Sequence, residues 1–197
     1  MINHGISTPG LFLAVAVVYD RRHTRMIADF GGLSETMPIY STIFMIMTMS
    51  SIGLPLLNGF IGELIILQGS FQAFPWAAVV ATTGIILGAA YMLWMFQRVM
   101  FGPISDVNRK MTDLTPREMV VFAPLVIMAV WIGLYPRPLM EIMDRPVAKL
   151  VRQVNPDYYL APSASSDQEK AKREGMQGMV APGTDENSNL TETSEEK

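Results

Sequence analysis

Ile52-Gly53-Leu54-Pro55-Leu56-Leu57-Asn58-Gly59-Phe60-Ile61-Gly62-Glu63-Leu64-Ile65-Ile66-Leu67 places a helix breaker and a carboxylate inside the longest apolar run of the 197-residue sequence. Residues 39–74 hold one acidic or basic side chain, Glu63. As continuous helix that run would reach about 54 Å, against a hydrocarbon core of about 30 Å. It is too long for one straight crossing and cramped for two, since each crossing takes about 20 residues plus a turn. Pro55 removes a backbone donor, and Gly53, Asn58 and Gly59 favour turning, so the helix should break between 53 and 59. A broken span with an acid two turns past its proline is a recurrent build of ion and proton sites in transporters. An acid inside a membrane is costly and usually faces a polar pathway. The competing reading is a loop between two short helices, with Glu63 at the interface.

The rest of the composition agrees with a membrane chain. Half of the residues are hydrophobic, 17% are charged, and the mean hydropathy is positive, unlike an ordinary soluble domain. With no cysteine, thiolate zinc, Fe–S clusters and disulfides are excluded. The two histidines, His4 and His23, are too far apart in sequence to form a local metal pair. Most of the sixteen methionines sit in apolar runs, where pliable packing accounts for them. Residues 1–155 carry 11 basic and 9 acidic side chains, net +2, whereas 156–197 carry 4 and 9, net −5. Neither part is charged as a nucleic-acid binder would be.

Outward from the central run, residues 5–19 are apolar but reach only about 22 Å as helix, short of a crossing. They lack a basic leader, so they make a poor signal peptide. The simplest expectation is that Met1 lies inside a longer protein and that its first helix is cut. Pro9 and Gly10 should bend that helix and leave His4 and Ser7 near freed backbone groups. Asp20-Arg21-Arg22-His23-Thr24-Arg25 is an abrupt charged loop whose arginines orient the span and carry no chemistry. Residues 31–38 read as a short surface helix or turn, with Pro38 opening the broken span.

A third span covers 76–100, with Gln97 and Arg98 snorkelling at its end. Gly84, Gly88, Ala89 and Ala90 suggest a close-packing face inside a bundle. Trp76, Trp94 and Tyr91 have the composition of an aromatic belt, although Tyr91 lies deep enough for its hydroxyl to join a polar chain. Thr115-Pro116-Arg117-Glu118 reads as a capping-box start for a fourth span over 118–135, stopped by Pro136 and Pro138. Next, Leu139, Ile142, Met143, Val147, Leu150, Val151 and Val154 recur at helical spacing, an amphipathic segment for the interface, interrupted at Pro146. From about Asn155 the sequence turns rich in Ser, Glu, Gly and Pro and should be disordered. The Asn189-Leu190-Thr191 sequon within it is taken as chance.

Charge counting tests the topology. With 39–74 as one broken span, the loops at 20–38 and 102–117 share a face that holds Arg21, Arg22, Arg25, Arg109, Lys110 and Arg117. Two spans would put those basic loops on opposite faces. The expected fold is therefore all-α. It is a polytopic membrane helix bundle over 1–155, with about four transmembrane spans including one broken helix, followed by a disordered acidic C-terminal tail over 156–197.

At this point several segments together resemble a family. Met1-Ile2-Asn3-His4-Gly5-Ile6-Ser7, Tyr19 through Arg25, Gly31-Gly32-Leu33 and Ser51 through Glu63 resemble the subunit M family of NADH-quinone oxidoreductase, respiratory complex I. Gly69-Ser70-Phe71-Gln72, Gln97 through Gly102 and Gly133 through Pro138 continue the resemblance, which covers about 1–155. Antiporter and membrane-bound hydrogenase subunits share the broken-helix pattern. The resemblance implies a 14-span antiporter-like proton-pumping subunit, of which this chain would be the last four spans and inactive alone. It maps the acid of the second repeat's broken helix onto Glu63 and a proton-relaying histidine onto His4. It implies that NADH, FMN, Fe–S clusters and quinone are bound by other subunits, with no cofactor or metal in this chain. The implied partners are other membrane-arm subunits of complex I, including neighbouring antiporter-like subunits, and the lipid bilayer. No nucleic acid is expected. The implied location is the bacterial inner (plasma) membrane, multi-pass.

Physically, desolvation penalises the charged form of a buried carboxylate, and an approaching cation relieves that penalty. Alternating the two through a water chain would load and release a proton at Glu63. His4, of a residue type that changes charge readily near neutrality, could relay it. The rival for His4 is a polar group satisfying the kink at Pro9. Asn58, Thr48, Ser50 and Ser51 could order waters at the break or merely satisfy its backbone. Two wider rivals remain: a sodium/proton antiporter or hydrogenase subunit, and a non-catalytic membrane scaffold.

Overall fold

The computed structural model describes residues 1–156, and the regular structure among them is entirely helical. The tail beyond 156, expected to be disordered, and its sequon lie outside the described residues. The chain divides into two compact units, Met1–Ile142 and Met143–Lys197. The helices are α1 (Ile2–Arg22), α2 (Leu33–Thr36), α3 (Pro38–Ser51), α4 (Asn58–Ala73), α5 (Pro75–Met100), α6 (Pro116–Leu134) and α7 (Arg137–Val154).

Three of them, α1, α5 and α6, are long and apolar enough to cross a membrane. The remaining expected span is the interrupted pair α3 and α4, of 14 and 16 residues. Each reaches only about 21–24 Å, less than a full hydrocarbon core. The chain is thus multi-pass, with the interruption at 52–57 overlapping the expected 53–59, since Asn58 and Gly59 already open α4.

α1 corrects one expectation. Its apolar run is short, but the helix also takes in residues 2–4 and 20–22, reaching about 31 Å. It runs through Pro9, which deprives only the Gly5 carbonyl of its donor. Side chains pack α1 closely on α3. A Cβ at Gly10 would strike the Met47 side chain, so glycine sets the approach. In lipid, where the hydrophobic effect does not drive helices together, such fit carries the association. Tyr40, Phe44 and Phe96 stack in sequence with ring centroids 5.7 and 5.6 Å apart, and Tyr40 donates to the Ala14 carbonyl at 3.1 Å.

The loops between spans are less superficial than their sequence suggests. Gly31, Gly32 and Leu33 are buried rather than on the surface. Lacking side chains, the two glycines fit against residues 101–104. The Gly32 N–H donates to the Phe101 carbonyl and Ser34 Oγ to that of Met100. Arg21 carries more than topology, because all five of its N–H groups are used. Nε donates to Thr112 O (2.9 Å), and Nη1 to Val17 O (3.0 Å) and Glu118 Oε1 (2.9 Å). Nη2 donates to Asp113 O (3.1 Å) and Glu118 Oε2 (2.8 Å). Asp113 in turn accepts the first free N–H groups of α3, Ile39 at 2.9 Å and Tyr40 at 3.1 Å. Both basic loops therefore meet at one end of the first unit, as a single broken span requires.

The capping box at Thr115 and Glu118 forms as expected. Two further expectations change. Among the described residues nothing packs on the small-residue face of α5 at Gly84, where a Cβ would meet no atom within 4 Å. α7 runs unbroken through Pro146. None of its residues is buried, so the carbonyl that the proline leaves undonated is free to bond water.

Candidate functional site

The break is built by unusual backbone. Gly53 has φ +77°, which glycine adopts freely. Leu56 has φ 76°, a conformation that strains a residue carrying a Cβ. α3 ends without a side chain on its last carbonyls, and α4 starts at Asn58 with no capping side chain on its first N–H groups. The last α3 carbonyls are largely taken up by the break itself, with Ile52 N–H donating to Thr48 O at 3.1 Å, Gly53 N–H to Ser50 O at 3.4 Å and Leu54 N–H to Met49 O at 3.0 Å. The uncapped first N–H groups of α4 are thus the backbone pole this broken span offers to ions and waters.

A buried polar network joins the break to the start of α1. Ser50 donates to Asn58 Oδ1, and Ser7 and Ser50 share a hydrogen bond at 2.8 Å. Asn3 Nδ2 donates to the Asn58 carbonyl at 2.7 Å, and Asn58 Nδ2 returns to Asn3 O at 3.2 Å. Asn58, Ser50 and Ser7 are buried. Asn58 and Ser50 were candidates in the sequence, whereas Asn3 and Ser7 were not recognised as their partners. The signal was available, because Asn3 and Ser7 lie four apart on α1 and so on one face. Thr48 stands apart, its Oγ1 buried without a partner among the described residues.

Glu63 lies one turn into α4, half-buried. Its carboxyl group occupies the space beside Gly53 that a side chain there would fill. Among the described residues no hydrogen bond or ion pair reaches it. Two cavities converge on it. One, of about 240 Å³, also takes in Asn3, His4, Ser7, Thr8 and Ser50. The other, of about 270 Å³, lies toward α5 and includes Ser51, Gly84, Gly88 and Tyr91. The α5 face expected to pack closely is thus the wall of a groove that opens on the acid.

His4 lines the first cavity with Glu63, but it is exposed and no hydrogen bond joins the two. Its Nδ1 sits 3.0 Å from Thr8 Oγ1, one turn along α1. His4 bonds Thr8, and Ser7 bonds Ser50 and Asn58, so neither side chain serves the Gly5 carbonyl that Pro9 leaves without a donor. His23 is exposed and closes α1 in a left-handed turn. Chemically, the arrangement offers one carboxylate able to hold a proton or pair with a cation, hydroxyl and amide groups able to order water, and a titratable imidazole in the same cavity.

Residues 1–105 match the family model described as NADH:quinone oxidoreductase/Mrp antiporter, TM. Among curated proteins, NADH-quinone oxidoreductase subunit M of Rhodobacter capsulatus is 46% identical over 80% of this chain and 31% of its own length. NADH-ubiquinone oxidoreductase chain 4 of Marchantia polymorpha is 43% identical over 77% of this chain and 31% of its own. This chain therefore spans about a third of the length of the curated relatives it matches. A chain of respiratory complex I from Thermus thermophilus aligns with a TM-score of 0.61 and 32% identity, covering 68% of this chain and 28% of that one. A chain of the Mrp complex from Dietzia sp. aligns at TM-score 0.61, over 71% of this chain and 34% of that one. At 20% identity it shares the fold alone. The resemblance to subunit M read from the residues is borne out, and the chain belongs to the transmembrane NADH:quinone oxidoreductase/Mrp antiporter family.

Proposed function

We propose that this chain is part of the proton-translocating membrane arm of an NADH:quinone oxidoreductase, with Glu63 as its proton-carrying group and His4 as a relay in the adjoining cavity. The observation that carries the reading is the placement of Glu63. The one acid in residues 39–74 sits at a helix break, unpaired among the described residues, where two cavities meet. A scaffold helix has no use for an uncompensated carboxylate there. The Asn3–Ser7–Ser50–Asn58 network gives waters a polar wall. Electron transfer belongs to other subunits, which hold NADH, FMN, Fe–S clusters and quinone, and this chain lacks cysteine ligands. Its partners are neighbouring antiporter-like membrane-arm subunits, in a bacterial inner membrane. Residues 1–155 form its membrane domain. The matched family also includes Mrp antiporters, so sodium is the second reading for the ion at Glu63.

The test is Glu63→Gln in the assembled complex, reconstituted in vesicles. NADH oxidation and lumenal acidification are measured together, with and without sodium. The expected result is normal assembly with fewer protons moved per NADH. An unchanged ratio at full assembly would reduce Glu63 to a scaffold role. A loss only in the presence of sodium would favour the antiporter.

A further inference from the structure

A second polar groove, of about 540 Å³, lies at the basic end of the first unit, between the last turns of α5 and the loops at 27–31 and 101–108. Three donors in its wall are uncommitted. The Arg98 guanidinium lies over the Trp94 ring at 4.8 Å and meets no carboxylate among the described residues. The Gln97 side chain has no hydrogen bond among them. Ser105 Oγ accepts the Asn108 N–H at 3.3 Å, which leaves its own hydroxyl hydrogen to donate. The same wall holds a carboxylate, Asp29. It accepts from Thr24 Oγ1 at 2.6 Å through Oδ2, while Oδ1 is free. Arg98 and Asp29 form no ion pair with each other or with any other described residue.

Position narrows the ligand. α5 is one of the helices able to cross a membrane, and its last two turns form the groove wall, so the groove opens where hydrocarbon gives way to water. The exposed rings of Trp94 and Phe101 flank it, and the indole of Trp94 is the amphipathic kind of ring that favours the headgroup level. One unpaired cation and one unpaired anion, separated within a single groove, complement a zwitterion. A purely anionic headgroup would satisfy Arg98 and face repulsion from Asp29. A quaternary ammonium would bring no N–H for the free Oδ1.

We propose that this groove binds the phosphoethanolamine headgroup of a membrane phospholipid. Arg98, Gln97 and Ser105 donate to the phosphodiester, Asp29 accepts from the primary ammonium, and Trp94 lies along the glycerol esters. The inference rests on membrane insertion and is independent of proton transfer at Glu63.

The test uses the full-length chain in lipid nanodiscs doped with photoreactive phosphatidylethanolamine, phosphatidylglycerol or phosphatidylcholine of equal acyl composition, with crosslinks mapped onto residues 94–108. The ethanolamine lipid should label this segment several-fold more than the other two. Arg98→Gln should lower its labelling by about tenfold, the worth of a charge-assisted hydrogen bond. Asp29→Asn should bring ethanolamine and glycerol lipids to the same level while leaving labelling in place. Circular dichroism of each variant separates lost binding from lost fold. Two surface positions are changed independently, so misfolding of one leaves the other decisive. Equal labelling by all three lipids, or labelling indifferent to Arg98→Gln, overturns the proposal. Displacement by soluble phosphoethanolamine as readily as by lipid also overturns it, making the groove a site for soluble phosphate esters.

Discussion

Arg21→Lys tests the physical account of the basic end most directly. The guanidinium uses all five of its donors, two of them as a fork on Glu118 and three on the carbonyls of Val17, Thr112 and Asp113. The two side chains are 14% and 26% exposed, too enclosed for the pair to be discounted as a surface ion pair. Lysine keeps the charge but offers three donors from one point, so it cannot reproduce the fork and also reach three carbonyls. The substitution should cost about 2–4 kcal/mol, from lost charge-assisted bonds and carbonyls left without donors. The assay is unfolding of the full chain in mixed micelles titrated with dodecyl sulfate, followed by tryptophan emission. Arg21→Met and Glu118→Gln, singly and together, should show a coupling of about 1–3 kcal/mol. A lysine variant within about 0.5 kcal/mol of wild type would refute the reasoning and return Arg21 to a topological signal.

Other substitutions probe the break by the same unfolding assay. Asn58→Ala should cost about 1–3 kcal/mol, because it removes the buried acceptor of the Ser50 hydroxyl and the donor to the Asn3 carbonyl. Gly133→Val places a side chain on the backbone of Leu56 and Leu57. It should cost about 1–3 kcal/mol as overpacking and speed proteolysis at 52–57. Thr48→Val should be neutral or stabilising by up to about 1 kcal/mol, since it deletes a buried hydroxyl without a partner. A clear loss there would reveal an ordered water on Thr48.

Much of this was legible because a bilayer forces large signals. Uncapped apolar runs, Pro55 with its glycines, and the opposing arithmetic of the two basic loops fixed the spans and the interruption. Glu63 was legible for the same reason, as the one charge in a long apolar stretch. What failed were judgements about single side chains. Pro146 was read as an interruption, although proline's φ suits a helix and it removes one bond only. Gly84 and Gly88 have helical spacing for packing, but spacing names a face and not its partner, and the face lines a cavity. Arg21 was read for its charge, while its function depends on Glu118 and Asp113, about 90 residues away in sequence. No local pattern carries that pairing.

The two ends of the first unit consequently differ in kind. At the basic end, Arg21, Glu118 and Asp113 hold the ends of α1, α3 and α6 through charge-assisted bonds, so that end has few low-energy alternatives. At the break, Leu56 is strained, the helix ends lack side-chain caps, and the polar contacts are neutral hydroxyls and amides, each weaker than the charge-assisted bonds of the basic end. Local opening draws on the weaker set of contacts. On the proposed role, a change of charge at Glu63 would act on the less firmly held end of a bundle clamped at the other. Gly53, against which the carboxyl group rests, is the point where that charge meets the backbone able to move.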